Sequence, residues 1–305
     1  MTGRMTDDST TETPPEAPPG IAPGLASGFA PGFLGPDCPV AVPRAGRPIV
    51  PLAYTHFTVL LDTSRRLAAL TAVNIDGLLL TDVARTDDWH LDDRVDESQQ
   101  AGPELYARND LDRGHLVRRR DPVWGDEATA RRAEFDSFVY TNAAPQAAVF
   151  NQSPVLWNGL EDYLLDYAAG YRVRLNVFTG VVFADDDPLY RGIRIPRLFW
   201  KVAAWADAAT HELATTGYVL DQSPQLDAID LTALVAGADA PPPLGGFLTF
   251  EAPVADIQRL TDLDFGPLVD ADRFTPVPQA TEAGHSGWKR LRHFADISID
   301  PPPPG

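Results

Sequence analysis

A single cysteine, Cys38, is present in 305 residues, so no intramolecular disulfide can form and nothing in the chain requires an oxidising compartment. The first twenty residues, MTGRMTDDSTTETPPEAPPG, lack the apolar core of a signal peptide, and no apolar run is long enough to span a bilayer. The expectation is a cytoplasmic protein, or one exported without a cleavable Sec signal, and no membrane partner. Positive charge is also scarce: 25 Lys and Arg stand against 43 Asp and Glu, a formal net charge of −18. Binding to nucleic acid through a general positive field needs many Lys and Arg contacts that release counterions, so any such contact here has to be local. No G-x-S-x-G, P-loop or G-x-G-x-x-G occurs, and His211-Glu212 lacks the second histidine of a zinc-protease motif.

Core material is not limiting, since ~250 ordered residues would bury about three quarters of the surface an unfolded chain exposes. Residues 1–26 are rich in Pro, Thr, Glu and Asp and are expected to be a disordered tail. From Ile49 to Ile75 the pattern predicts a β-hairpin, with His56–Leu61 and Leu70–Asn74 separated by the polar turn Asp62–Arg66. Asp82 to Glu104 suits a surface loop, and Asp126 to Phe135 a short helix. A second helix is predicted to start at Ser153-Pro154 and run to about Ala169. Its Leu156, Leu160, Leu164 and Tyr167 form the buried stripe and place Glu161 beside it. Further strands are expected at Arg172–Phe178, Phe199–Trp205, Tyr218–Leu220 and Phe247–Phe250, and a last short helix at Asp256–Leu260. Gln225 to Pro243 looks like an inserted loop, and Pro301 to Pro304 extends without packing as a regular element. The class is α+β with a central antiparallel sheet.

Chemistry concentrates in two blocks. Asp112-Arg113-Gly114-His115 is followed thirty residues later by Thr141-Asn142-Ala143-Ala144-Pro145-Gln146, Phe150-Asn151, Trp157 and Leu160-Glu161. A histidine behind a glycine offers a neutral imidazole that can deprotonate a water, while Asn151 and Glu161 offer the hard oxygens that Mg²⁺ prefers. Gly114 is expected to allow a backbone conformation or close approach that a side chain would block. Around this histidine lie Arg113, Arg118, Arg119, Arg120, Arg131 and Arg132, with a second basic group at Arg191, Arg194, Arg197 and Lys201. Arginines so close to carboxylates read as paired surface groups. Asp185-Asp186-Asp187-Pro188 reads as a solvated turn, and Trp200 and Trp205 as core residues on a strand.

The two blocks resemble those of the DNA/RNA non-specific endonucleases, the ββα-metal family that includes secreted bacterial nucleases and mitochondrial endonuclease G. The likeness also takes in Phe33-Leu34-Gly35, Tyr54-Thr55-His56-Phe57, Ala72–Gly77, Tyr106, Val177–Gly180 and Thr261–Phe265, roughly Gly28 to Leu268 in all. It implies a ββα-metal nuclease fold, a central antiparallel β-sheet flanked by helices, in a domain over residues 27–268, followed by a C-terminal extension at 269–305. It implies Mg²⁺-dependent endonuclease activity on DNA and RNA, with Mn²⁺ as a substitute ion.

Residue by residue, the resemblance makes His115 the general base, Asn151 the direct Mg²⁺ ligand and Glu161 the holder of a metal-bound water. Arg113 approaches the phosphate, and Asn142 positions the site through hydrogen bonds. An upstream arginine belongs to the family's site, and Arg85, ahead of Trp89 and Asp92, is the candidate, with Arg94 as the alternative. Asp112 is expected to fix loop geometry. A homodimer and a protein inhibitor are the partners the family suggests beyond nucleic acid. Two features depart from the family pattern: nine residues lie between Asn151 and Glu161, two more than in well-known members, and Val181 replaces a usual proline. Ten steps along a straight helix would separate Asn151 from Glu161 by ~15 Å, so a bend or bulge after Asn151 is expected. The rival readings are a nucleic-acid-binding protein of the same fold with an inactive site, and a phosphodiesterase for a smaller substrate.

Overall fold

A computed structural model describes residues 28–44, 46–109, 111–147, 157–228, 248–275, 281–282, 285–292, 296–297 and 299. The expected tail at 1–26, Asn151, the helix start at Ser153-Pro154 and the proline run at 301–304 lie outside the described residues. So does the greater part of the expected inserted loop, whose first residues belong to a short helix, Ser223–Ala228.

Strands β1 (Ile49–Tyr54), β2 (Phe57–Asp62) and β3 (Leu67–Asp76) follow one another as an antiparallel meander, adding one strand ahead of the predicted hairpin. The β2–β3 turn forms because Asp62 Oδ1 accepts from the backbone N–H groups of Ser64 and Arg65, while Arg66 takes a left-handed φ of 61°. A short pair then stands apart from the main sheet: β4 (Leu111–His115) and β5 (Ala143–Ala147), antiparallel, with His115 opposite Ala143. Helix α1 (Glu127–Ser137) lies between them and is capped by Asp126, which accepts from Thr129 N–H at 2.8 Å. Helix α2 (Trp157–Tyr171) follows β5 in sequence and completes a ββα unit.

The remaining strands are β6 (Arg174–Val181), β7 (Leu198–Ala206), β8 (Leu213–Asp221), β9 (Leu248–Ala252) and β10 (Lys289–Leu291). With β1–β3 they make an eight-stranded antiparallel sheet in the order β10-β9-β8-β7-β6-β3-β2-β1. Its last edge strand therefore comes from the segment read as a C-terminal extension. All ten residues of β3 are buried, which requires cover on both faces of the sheet. One core holds Val73, Ile75, Phe199, Ala203 and Trp205 together with Leu160, Leu164 and Tyr167 of α2, the stripe expected from their spacing. The other holds Leu70, Phe178, Trp200 and Phe250 under Val254 and Ile257 of helix α3 (Val254–Thr261).

Trp200 and Trp205 are thus core residues, as their alternation on a strand required. One reading needs correction. Lys201 does not belong to a surface basic group: its side chain is fully buried between Phe199 and Ala203 on the α2 face of β7. The strand phase decides this, because residues 199, 201, 203 and 205 share a face and that face is the core.

Candidate active site

The β4–β5 pair presents the first chemical block. Successive side chains alternate along β4, so Arg113 and His115 share one face while Asp112 and Gly114 share the other. A Cβ on Gly114 would stand 2.0 Å from Gln146 Cδ, so only glycine lets the buried Gln146 side chain lie across β4. The pair is fixed to the rest of the fold at both ends. Gln222 accepts from Ala147 N–H at 3.0 Å and donates to Pro196 O at 2.6 Å. At the other end, Asn142 accepts from Val117 N–H at 2.8 Å through Oδ1 and donates through Nδ2 to Val117 O and Ser137 O, each at 2.9 Å. Leu116 N–H donates to Asn142 O. Asn142 therefore clamps the backbone on the C-terminal side of His115, and its buried amide is fully used in doing so.

His115 sits in an aromatic setting. Its ring centroid is 4.6 Å from Trp89 and 5.1 Å from Phe138, the latter edge-on. Nε2 is sealed from solvent and has no hydrogen-bond partner among the described residues. Burial lowers the imidazole pKa from 6.5 to about 3, with Arg85 and then Arg119 adding to the fall and Asp87 opposing it. The imidazole is neutral at pH 7, the state a proton acceptor needs.

Two arginines flank it. Arg113 is exposed, lies with its guanidinium 5.1 Å from the Trp89 ring, and forms no ion pair among the described residues. Arg85 stands 5.3 Å from the Phe138 ring and is bound to Asp87 at 2.6 Å. Arg94, the alternative upstream arginine, is held elsewhere: it pairs with Asp92 at 2.6 Å, donates to Ala53 O at 3.0 Å and lies over the Tyr54 ring. Geometry groups Arg85, not Arg94, with His115. Four of the other nearby arginines are matched with carboxylates, Arg118 with Asp162, Arg119 with Glu134 at 3.9 Å, Arg131 with Glu127 at 2.6 Å and Arg132 with Asp136 at 2.9 Å, while Arg120 is exposed and has no ion pair among the described residues.

Glu161 occupies the first half of α2 with its side chain only 8 % exposed. Its Oε1 is buried without a hydrogen bond among the described residues and lies 3.4 Å from Lys201 Nζ. Arg118, three residues after His115, feels the charge of both Glu161 and Asp121, which ties this group to the end of the hairpin. Asp121 is itself buried, and desolvation raises its pKa to about 7 against the pull of Arg118 and Lys201. Sequence reading missed Asp121, Gln222 and the roles of Arg119 and Lys201. Only Lys201 carried a signal, as one of just two lysines in a chain with 23 arginines.

The family model described as DNA/RNA non-specific endonuclease matches residues 40–272. The chain belongs to this family. It is 40 % identical over 256 residues to the uncharacterized protein y4fB of Sinorhizobium fredii, covering 81 % of this chain and 37 % of that protein. It is 29 % identical over 192 residues to mitochondrial endonuclease G of Bos taurus and 28 % identical to the Homo sapiens protein, in each case covering 59 % of this chain and 56 % of the relative. The chain thus spans little more than a third to about half of the length of these relatives. Among solved structures, the crystal structure of the EndoG/EndoGI complex matches with a TM-score of 0.51 at 18 % identity, over 70 % of this chain and 84 % of that one, a likeness of fold. The α+β, ββα-metal nuclease architecture expected from the sequence is the one observed.

The family implies a metal. Among the described residues no group of three or more His, Cys, Asp and Glu converges on one point. Mg²⁺ does not require such a group, because it keeps most of its waters and binds through one or two protein oxygens. Glu161 fits this chemistry: its buried Oε1 is a hard oxygen with unused acceptor capacity. Asn151, the expected direct ligand, lies outside the described residues.

Proposed function

We propose that the protein is a Mg²⁺-dependent endonuclease that hydrolyses phosphodiester bonds of DNA and RNA with little base preference. One observation carries the reading: a neutral histidine, His115, shares a strand face of a ββα unit with Arg113, an exposed arginine without an ion pair among the described residues. His115 accepts a proton from a water whose oxygen attacks phosphorus, and the bond to the 3′-oxygen breaks, leaving a 5′-phosphate. Arg113 offers a planar fork to the nonbridging oxygens, a bidentate fit that lysine cannot reproduce. Arg85 adds positive charge where negative charge develops and helps keep the base unprotonated. Asn142 holds the strand end that carries the base. When bound, Mg²⁺ would be held by Asn151 and, through a water, by Glu161, and would supply charge stabilisation to the phosphoryl and departing oxygens. Each of these contacts is to phosphate or metal, so none reads a base edge.

The printed title of the structural relative describes inhibition of EndoG by EndoGI. A protein inhibitor is the partner we propose here by analogy, since a nonspecific nuclease endangers the cell that makes it.

The test is incubation of wild-type and H115A protein with supercoiled plasmid and with unstructured RNA, in Mg²⁺ or in EDTA. Cleavage of both polymers by wild type alone, lost in EDTA, is the expected result. Folded wild-type protein that binds DNA but cuts neither polymer with any divalent ion would replace this reading with an inactive binding protein. Turnover of small diesters alone would make it a phosphodiesterase for a smaller substrate.

A further inference from the structure

Lys201 is a costly residue for its place. Its side chain is buried on the face of β7 that also carries Phe199 and Ala203 and packs on α2. Removing an ammonium from water is expensive, and apolar residues of similar volume commonly serve a core as well as or better than a buried ion pair. Stability therefore gives no reason for a lysine here. Its contacts do. Nζ donates to Thr179 Oγ1 at 2.8 Å, the residue directly opposite on β6, and stands 3.4 Å from Glu161 Oε1. The sheet fixes the cation, and the cation faces the one candidate metal-shell carboxylate among the described residues. Arg118 and Asp121 complete the group, and Arg118 follows His115 by three residues. The charge cluster thus runs from the buried face of the central sheet to the end of the β4–β5 hairpin.

We propose that Lys201 is a positioning residue of the nuclease centre: anchored by Thr179, its ammonium holds the Glu161 carboxylate in one orientation for the water shell of the metal. The proposal rests on the reading of Glu161 given above. Lys201 touches neither substrate nor metal. Its effect passes through Glu161, in the way partners behind metal ligands orient them.

Two measurements on the full chain test this. In the first, K201M, K201R and E161Q are compared with wild type for kcat, KM for DNA and the Mg²⁺ concentration of half-activation. K201M is expected to lose about 10–100-fold in kcat or in Mg²⁺ response, with KM for DNA held within about two-fold. K201R should restore part of the loss, and adding K201M to E161Q should cost little more, because the two residues act as a unit. The second needs no turnover. With lysine labelled at ¹³Cε in a chain without added lysines, only Lys201 and Lys289 give signals. Mg²⁺ alone should shift the Lys201 signal in wild type but not in E161Q, and leave Lys289 in place.

A folded K201M with wild-type kcat and wild-type Mg²⁺ response overturns the proposal while leaving the nuclease reading intact. So does a Lys201 signal indifferent to Mg²⁺ in a protein whose cleavage requires it. If K201M does not fold, K201R and the wild-type signal decide. A wild type that neither cleaves nor responds to Mg²⁺ removes the nuclease reading and this proposal together.

Discussion

Burial of His115 has a thermodynamic signature that can be read without substrate or metal. The native imidazole has its pKa lowered from 6.5 to about 3, mainly by desolvation and secondarily by Arg85 and Arg119. At 1.36 kcal/mol per unit the native environment favours the neutral ring by about 5 kcal/mol. The sign follows from proton counting. Above pH 6.5 neither state binds the proton, so the residue contributes nothing to the pH dependence. Below 6.5 the unfolded chain takes a proton that the native state refuses, and stability is lost until the native ring protonates near pH 3. Between pH 7 and pH 5 the loss from this one residue is about 2 kcal/mol. The assay is urea unfolding of wild type and H115A at both pH values in EDTA. The gap between the two proteins should shift by that amount, with wild type the more acid-sensitive. Other carboxylates titrate equally in both proteins and cancel. Parallel stability profiles, or an imidazole proton resonance titrating near 6.5, would refute the claim that the native fold holds this base neutral.

The remaining predictions concern its neighbours. R85M removes the foremost charge acting on His115 and should raise the imidazole pKa, read from the same proton resonance, while lowering cleavage; an unchanged titration would detach Arg85 from the site. R113A should reduce kcat/KM by about 100-fold, and R113K should recover only part of it because the bidentate fork is lost; full recovery in steady-state assays would reduce Arg113 to a point charge. N142A leaves Val117 N–H, Val117 O and Ser137 O without their partner in a buried place, at a cost of about 2–5 kcal/mol in chemical denaturation. If its melting profile matched wild type, the clamp on the strand carrying His115 would not exist.

The strong periodic elements were legible in the sequence. The β2–β3 hairpin, α1, the stripe of α2 and the long strands β6 to β9 all announced themselves by alternation or three-four spacing, and the structure mostly lengthened them. The strands that carry the site did not. β4 holds Asp, Arg and Gly, and β5 contains Pro145, so neither has the β-branched alternation that marks a strand. They are held by tertiary clamps, Gln222 at one end and Asn142 at the other, which have no local signature. The resemblance puts Arg85 ahead of Arg94 as the upstream arginine, and only the fold shows Arg94 occupied by Asp92 and Tyr54. Lys201 is hidden for a different reason: its charge marks it as a surface residue, and only the phase of β7 places it in the core.

Strand phase and ion pairing together also reconcile a net charge of −18 with the polyanionic substrate proposed above. The arginine-rich stretch after β4 is matched almost residue for residue by carboxylates, with Arg118, Arg119, Arg131 and Arg132 each facing its own Asp or Glu. Those pairs present little net field beyond a Debye length of about 8 Å at physiological salt. Arg113 differs, being exposed, lying against the Trp89 face without an ion pair among the described residues, and standing two residues from His115 on the same side of the strand. An acidic chain of this kind has little long-range attraction for nucleic acid. What Arg113 offers under the proposed function is a local basic contact at the reacting phosphate, where the charge acts on the bond to be broken.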